Sequence, residues 1–110
     1  MARVTRGDLV SVALQGDLGK PRPALVIQSD LFRDHPSITV LPITGELRDA
    51  PAFRIRLEPN EANGLQKASD VMVDKPQSIH RDKVGQVFGR LTDKAMLPIN
   101  RSLAVFLGLV

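Results

Sequence analysis

The chain has 110 residues, of which 43% are apolar and 25% are charged, with a net charge of +3, and these values are typical of a single globular domain spanning residues 1–110. It contains no cysteine, which excludes disulfides, thiolate metal ligands and cysteine nucleophiles, and its two histidines, His35 and His80, are too few for a histidine-built metal site. No apolar run approaches the ~18 residues that a membrane span needs, and no signal-peptide core follows the charged start, so we expect a cytoplasmic protein.

Short apolar runs separated by turn residues predict mostly β-strands in the first half of the chain. Residues 8–14 are predicted to form the first strand. Residues 23–28 are almost continuously apolar, as expected for a strand that is buried on both faces. Residues 29–30, Ser-Asp, predict the cap of a short helical turn. Residues 37–44 are rich in β-branched side chains and predict another strand, with Pro42 near an edge or near the end of the strand because proline lacks an N–H.

Apolar and polar residues alternate along the predicted strands in the second half of the chain. Residues 53–57 predict a strand with Arg54 and Arg56 on the outward face, where their positive charge could follow a nucleic-acid backbone or, by default, is simply solvated. Residues 59–64 are a cluster of turn formers. They join this strand to another around residues 70–74, in which alternate residues point inward and Asp74 is predicted to face outward.

The last segments predict a strand over residues 84–91 and then a helix. Thr92 is a candidate N-cap, and apolar residues recur every three or four positions after it, which is typical of an amphipathic helix. The stripe consists of Met96, Ile99, Leu103, Phe106 and Leu107. Pro98 lies within it and is expected to kink the helix or delay its start. The whole pattern predicts a small β-rich sheet or barrel in two packed layers, closed by a C-terminal helix.

Residues 20–23 read Lys-Pro-Arg-Pro, the most unusual local feature of the chain. A residue that precedes proline is driven toward extended conformations, and each proline fixes its own φ near about −65°. Arg22 therefore stands on stiff backbone at the entry of a buried strand, where its planar guanidinium is suited to hold a phosphate. The alternative is an exposed arginine with no function. Ten of the 15 basic residues are arginine, which favours an anionic partner.

This chain contains three motifs in a fixed order: an Arg-Pro strand entry, an Ile-Thr-Gly strand end and a Leu-Gly tail. Together with their neighbours they resemble the MazF/PemK toxins, which are sequence-selective endoribonucleases of type II toxin–antitoxin modules. The resemblance covers almost the whole chain and is carried by residues 7–10, 19–28, 40–45, 64–65, 70–79 and 107–109.

The resemblance implies a β-rich α+β fold, a small SH3-like, CcdB-type β-barrel of two packed sheets with short helices and a C-terminal helix. It also implies a homodimer that binds single-stranded RNA (mRNA) in a groove at the dimer interface, needs no cofactor or metal, and is silenced by a cognate antitoxin. The family's catalytic arginine falls on Arg22, its catalytic threonine on Thr44, and an acidic or polar position on Asp74. This chain departs from several members at Met72 and Gln77, where they carry a basic residue.

RNA can be cut by its own 2′-hydroxyl, which attacks the adjacent phosphate and requires neither a metal nor an enzyme nucleophile. We expect Arg22 to stabilise charge on the phosphate and Thr44 to donate a hydrogen bond to it, although a threonine at a strand end can also be merely structural. His35 and His80 are candidate proton carriers or, alternatively, surface histidines. Candidate RNA-binding residues are Lys20, Gln28, Asp74 and Gln77.

Two other functions are compatible with the same fold. One is a CcdB-like toxin that poisons DNA gyrase, but those toxins rely on a Trp-Gly-Ile terminus and this chain has no tryptophan. The other is a catalytically inactive domain that only binds an antitoxin. For an RNA-cutting toxin, the absence of Trp and Tyr predicts that phosphate and base-edge contacts dominate over stacking.

Overall fold

The computed structural model describes residues 3–13 and 20–110. Leu14 of the predicted first strand and the connection over residues 15–19 lie outside the described residues. The strands are β1 (Asp8–Ala13), β2 (Pro21–Val26), β3 (Ser37–Thr44), β4 (Arg54–Leu57), β5 (Ser69–Met72), β6 (Gln77–His80) and β7 (Val84–Arg90), and the helix α1 is Asp93–Phe106. A 3-10 turn over Asp30–Phe32 is capped by Ser29, as predicted, and another covers Arg81–Lys83.

The strands form an antiparallel sheet in the order β4-β5-β3-β2-β1-β7, with β6 also pairing with β3. β3 is the longest strand and changes partner along its length. Its residues 37–40 pair with β6, whereas Ile43 and Thr44 pair with β5. Pro42 lies between these two partners and close to the end of β3, which explains how a residue without an N–H is accommodated in an interior strand.

The first three strands are buried on both faces, as the apolar run of β2 predicted. On one face, Leu9, Leu25 and Leu41 lie side by side across β1, β2 and β3. On the other face a second cluster contains Val10, Val12, Ala24, Val26, Ile38 and Val40. Each buried Leu, Val or Ile side chain of these clusters contributes about 1.5–3 kcal/mol through its removal from water, and this burial holds the end of β2 in place.

The face of the sheet that carries these leucines is covered by β4 and β5 and by α1. Leu57 of β4 and Val71 of β5 join the same cluster, so this end of the sheet packs over the leucines. The helix adds Met96, Ile99 and Leu103. The two packed layers closed by a C-terminal helix were therefore correctly predicted.

Helix α1 begins where the sequence indicated. The Thr92 side chain accepts a hydrogen bond from the Ala95 N–H at 3.1 Å. Pro98 lies inside the helix and does not delay its start. Phe106 and Leu107 of the predicted stripe are half exposed, so the buried stripe ends at Leu103. Among the described residues, no helix combines the length and apolarity needed to cross a membrane.

Two predictions about side-chain direction hold only in part. Arg56 does face outward, with 43% of its side chain exposed, but the Arg54 side chain is only 8% exposed and both arginines contact buried Asp70, so the two do not form one solvated strip. β5 ends at Met72, so Asp74 lies in the following turn. Asp74 is half buried, and its Oδ1 is buried without a hydrogen-bond partner in the part of the chain that the structure describes, so it does not simply face solvent.

Candidate functional site

A groove of about 990 Å³ opens where β2 begins and β3 ends. Its walls come from these strand ends, from the connection between β4 and β5, and from single residues of β6 and β7. The lining residues are Arg22, Pro23, Pro42, Ile43, Thr44, Gly45, Glu46, Gly64, Leu65, Gln66, Lys67, Ser69, Met72, Lys75, Gln77 and Phe88. The groove is thus assembled from segments that are far apart in the sequence.

Arg22 and Thr44 lie at the same end of β2 and β3. The antiparallel pairing of these strands runs from Val26 and Val40 to Ala24 and Pro42, so Arg22 and Thr44 each lie two residues beyond its last pair. Both residues line the groove. The pairing of β1 with β2 reaches Arg22 and Pro21, so the strand entry is held in the sheet. The stiff Pro-Arg-Pro backbone therefore fixes the point from which the Arg22 side chain enters the groove.

The Thr44 side chain is held by a local turn. Its Oγ1 accepts a hydrogen bond from the Glu46 N–H at 3.1 Å. The hydroxyl hydrogen has no acceptor in the part of the chain that the structure describes, so it is available to an anion in the groove.

Buried Asp70 supports the wall of the groove behind Thr44. It pairs with Thr44 across β3 and β5, and its carboxylate accepts from Arg56 Nε at 2.6 Å, from the Arg48 N–H at 2.8 Å and from Arg54 Nη1 at 3.4 Å. The same Arg54 Nη1 donates to the carbonyl of Glu46 at 3.1 Å. Asp70 and Arg54 therefore connect β5 to the segment that follows Thr44.

The same contacts change the protonation of Asp70. Burial alone would raise the pKa of its carboxyl, but the hydrogen bonds from Arg56, from the Arg48 N–H and from Arg54 outweigh that effect and hold the pKa below its ordinary value. The pKa of Arg56 is raised by its hydrogen bond to Asp70. Asp70 is therefore an ionised structural hub.

Sequence reasoning missed Lys67. Its side chain crosses directly over Gly45: a Cβ built on Gly45 would lie 2.5 Å from Lys67 Cε and 2.8 Å from Nζ. The two residues are distant in sequence and belong to no common motif. The available signal was the glycine immediately after Thr44, since a glycine at a strand end often marks a close approach by another group.

The candidate RNA-binding residues divide into two groups. Gln77 lines the groove, whereas Lys20, Gln28 and Asp74 are not among the lining residues. The Gln28 amide is used internally: Nε2 donates to the carbonyls of Phe32 and Ser37 at 2.9 and 3.0 Å, and Oε1 accepts from the Thr39 N–H at 2.9 Å. Gln28 thus holds the 3-10 turn against β3.

Both histidines lie outside the groove on exposed segments. His35 Nδ1 accepts from the Ser37 N–H at 3.0 Å, and His80 Nδ1 accepts from the Asp82 N–H at 3.2 Å. These contacts cap local turns, which favours the interpretation of both as surface histidines. Across residues 3–13 and 20–110, no group of three or more His, Asp or Glu side chains could hold a metal ion.

The described lining of the groove is basic and partly apolar. Within residues 3–13 and 20–110, its charged residues are the basic Arg22, Lys67 and Lys75 and the acidic Glu46. Apolar lining comes from Leu65, Met72 and Phe88, among others. Such a surface is suited to an anionic chain that also carries flat apolar groups.

The comparisons with known proteins define the class of this one. The family model of the PemK-like, MazF-like toxins of type II toxin–antitoxin systems matches residues 5–107. The chain therefore belongs to this toxin family, as its sequence motifs predicted. It is 44% identical over 105 residues to the "Probable endoribonuclease MazF" of Mycolicibacterium smegmatis. The matched region covers 94% of this chain and 96% of that protein.

Solved structures share the fold. An endoribonuclease in complex with its cognate antitoxin, from a mycobacterial species, superposes with a TM-score of 0.81 at 23% identity and covers 97% of each chain. The Mycobacterium tuberculosis toxin MazF-mt6 gives a TM-score of 0.78 at 24% identity, over 92% of this chain and 96% of that one. These likenesses confirm the predicted fold class.

Proposed function

We propose that this toxin is an endoribonuclease that cuts single-stranded RNA in the groove between β2 and β3, without a metal ion. The observation that carries the proposal is that Arg22 and Thr44 line the same groove, at the adjoining ends of β2 and β3. The 44% identity to a protein named as a probable endoribonuclease supports the same activity. The RNA is mRNA, and its cleavage stops translation and growth.

The chemistry needs no covalent contribution from the protein. The 2′-oxygen of one nucleotide forms a bond to the adjacent phosphorus while the bond from phosphorus to the 5′-oxygen breaks. The 2′-hydroxyl gives up its proton and the 5′-oxygen gains one, so the products carry a 2′,3′-cyclic phosphate and a 5′-hydroxyl. Negative charge accumulates on the phosphate oxygens in the transition state, and fixed donors that face those oxygens accelerate the reaction.

Arg22 and Thr44 are the donors that this groove supplies. The Arg22 guanidinium presents two parallel N–H groups to two phosphate oxygens and also neutralises charge. Thr44 donates its hydroxyl hydrogen to the same phosphate while its oxygen stays fixed by the Glu46 N–H. Because both side chains are held by strand backbone, little reorganisation is required when RNA binds.

Base recognition relies on the remaining lining residues. Gln77, at the start of β6, has an amide that can both donate to and accept from a base edge. Leu65, Met72 and Phe88 offer apolar contact to base faces. A groove built in this way selects bases by hydrogen bonds and shape more than by aromatic stacking.

The proposed partners follow from the charge of the groove. A cognate antitoxin would silence the toxin with an acidic segment that lies over the groove, its carboxylates taking the positions of phosphates. The toxin acts as a cytoplasmic homodimer, and RNA and antitoxin exclude each other from the groove. Both interactions weaken as salt rises, because the lining charges are open to solvent.

Replacing Thr44 with Val tests the mechanism. The variant keeps the β-branched shape and removes the hydroxyl, so we expect the cleavage rate at saturating protein to fall by about 10- to 100-fold while the unfolding midpoint changes little. Thr39→Val is the matched control, because Thr39 lies on the same strand outside the groove and its hydroxyl contacts Ser78 at 3.1 Å. Cleavage by Thr44→Val at the rate of Thr39→Val would show that Thr44 is only structural.

A further inference from the structure

We propose that Lys67 is a third phosphate-binding residue of the reaction site, where its ammonium neutralises the same phosphate that Arg22 and Thr44 contact. This inference rests on the proposed function, because it assumes that RNA is cut in the groove. It adds a cation that comes from the connection between β4 and β5 and that no motif of the sequence indicated.

Lys67 lines the groove, and its Cε and Nζ lie 2.5 and 2.8 Å from where a Cβ on Gly45 would stand. Gly45 directly follows Thr44 in the chain, so the ammonium lies over the residue next to the threonine that donates to the phosphate. Apart from the chain neighbours of Gly45, the three atoms nearest to that Cβ position all belong to the Lys67 side chain, and the third is 3.8 Å away.

Gly45 leaves room for the Lys67 side chain. Among the described residues, the glycines with positive φ are Gly7, Gly64 and Gly108, so the backbone at Gly45 is one that other residues adopt. A Cβ at this position would require the end of the lysine side chain to move from its place over Gly45.

The backbone of Lys67 is anchored, whereas its ammonium has no partner among the described residues. The hydroxyl of buried Ser69 donates to the Lys67 carbonyl at 3.0 Å, which fixes the backbone. Arg54, Arg56 and Arg90 all pair with aspartates. In contrast, the Lys67 ammonium makes no hydrogen bond or ion pair with any residue in the ranges 3–13 and 20–110. Its charge is therefore available to an anion from outside the chain.

A cation in this place supplements the arginine. The phosphate gains negative charge as the 2′-oxygen attacks, and a lysine ammonium is a compact charge with three donors on a flexible stem. It can follow the phosphate oxygens as their geometry changes, whereas the fork of Arg22 fixes orientation. The favourable interaction is largest in the transition state, so its loss lowers the rate of the chemical step more than RNA affinity.

The experiment is a double-mutant cycle with Lys67→Ala and Gly45→Ala. Single-turnover cleavage of a single-stranded RNA is measured at saturating protein, together with affinity for an uncleavable RNA that has a 2′-deoxy nucleotide at the cleavage site. We expect Lys67→Ala to slow cleavage by about tenfold or more, with a smaller change in affinity, and Lys67→Arg to recover part of the rate. Lys94→Ala, which removes an exposed lysine of α1, is the charge-matched control.

Gly45→Ala should cause a loss of similar size when Lys67 is present and almost none in the Lys67→Ala background, since its added methyl meets only the lysine. Losses that multiply in the double variant, or a Lys67→Ala rate equal to that of Lys94→Ala, would overturn the assignment. When one of these contradicting results is found, Arg22→Ala in the same assay shows which proposal fails. If Arg22→Ala does not cut, only the role of Lys67 is wrong. If Arg22→Ala cuts normally, the proposed site itself is wrong.

Discussion

Replacing Arg22 with Ala is expected to reduce RNA cleavage by about 100- to 1,000-fold, because it removes the arginine fork that lines the described part of the groove. The side chain is exposed, so its truncation removes little buried surface and the unfolding midpoint should stay close to that of the wild type. Cleavage is measured in single-turnover experiments with both proteins at saturating concentration, and folding is checked by circular dichroism.

The Arg22→Lys variant separates charge from geometry at this position. A lysine keeps the positive charge but lacks the planar fork, so we expect it to remain clearly impaired. Arg101→Ala is the matched control, because Arg101 is also exposed but lies on α1 away from the groove. Near-wild-type cleavage by Arg22→Ala would show that the reaction takes place elsewhere.

The Asp70→Asn variant is expected to lose about 3 kcal/mol of unfolding free energy at neutral pH. Removal of one partner from a buried ion pair leaves the other charge uncompensated, which costs about 3–5 kcal/mol. We expect the lower value because the Arg56 side chain is 43% exposed, so water can solvate its charge when Asp70 is replaced. The Arg54 side chain is only 8% exposed, so its charge would remain buried without a counterion. Urea unfolding measures the difference, with Asp82→Asn as the exposed control. A loss no larger than that of the control would contradict the role of Asp70 as a hub.

The contribution of Asp70 also has a defined pH dependence. Because its folded pKa is lowered, its stabilising effect is fully present above the ordinary carboxyl pKa of about 4 and is lost as the pH falls through the folded value. The stability difference between the wild type and Asp70→Asn should therefore stay constant from pH 7 to about pH 5 and shrink in stronger acid. A difference that grows as the pH falls would have the wrong sign for this carboxylate.

The sequence predicted those features that depend on local pattern. The apolar run of β2 indicated burial on both faces, and the leucines and valines of β1–β3 do divide between two clusters. The apolar period after Thr92 indicated α1. The Pro-Arg-Pro segment and the strand end at Thr44 pointed to two residues that line the same groove.

The features that were missed depend on contacts between distant segments. Alternation showed that Arg54 and Arg56 share a face of β4, but not that buried Asp70 of the neighbouring strand lies against that face. In the same way, nothing near Lys67 in the chain indicates that its side chain crosses Gly45. A pattern of period two predicts which side a residue faces, whereas its partner is decided by strand order.

The central claim, that this toxin cuts RNA in the groove without a metal ion, is tested most directly by incubating the full chain with a long single-stranded RNA in EDTA and mapping the ends of the products. We expect discrete fragments with 2′,3′-cyclic phosphate and 5′-hydroxyl ends, and we expect Arg22→Ala to form them about 100-fold more slowly or slower still. RNA that stays intact in EDTA would contradict the account and would leave a gyrase-binding toxin or a catalytically inactive domain as the better interpretation.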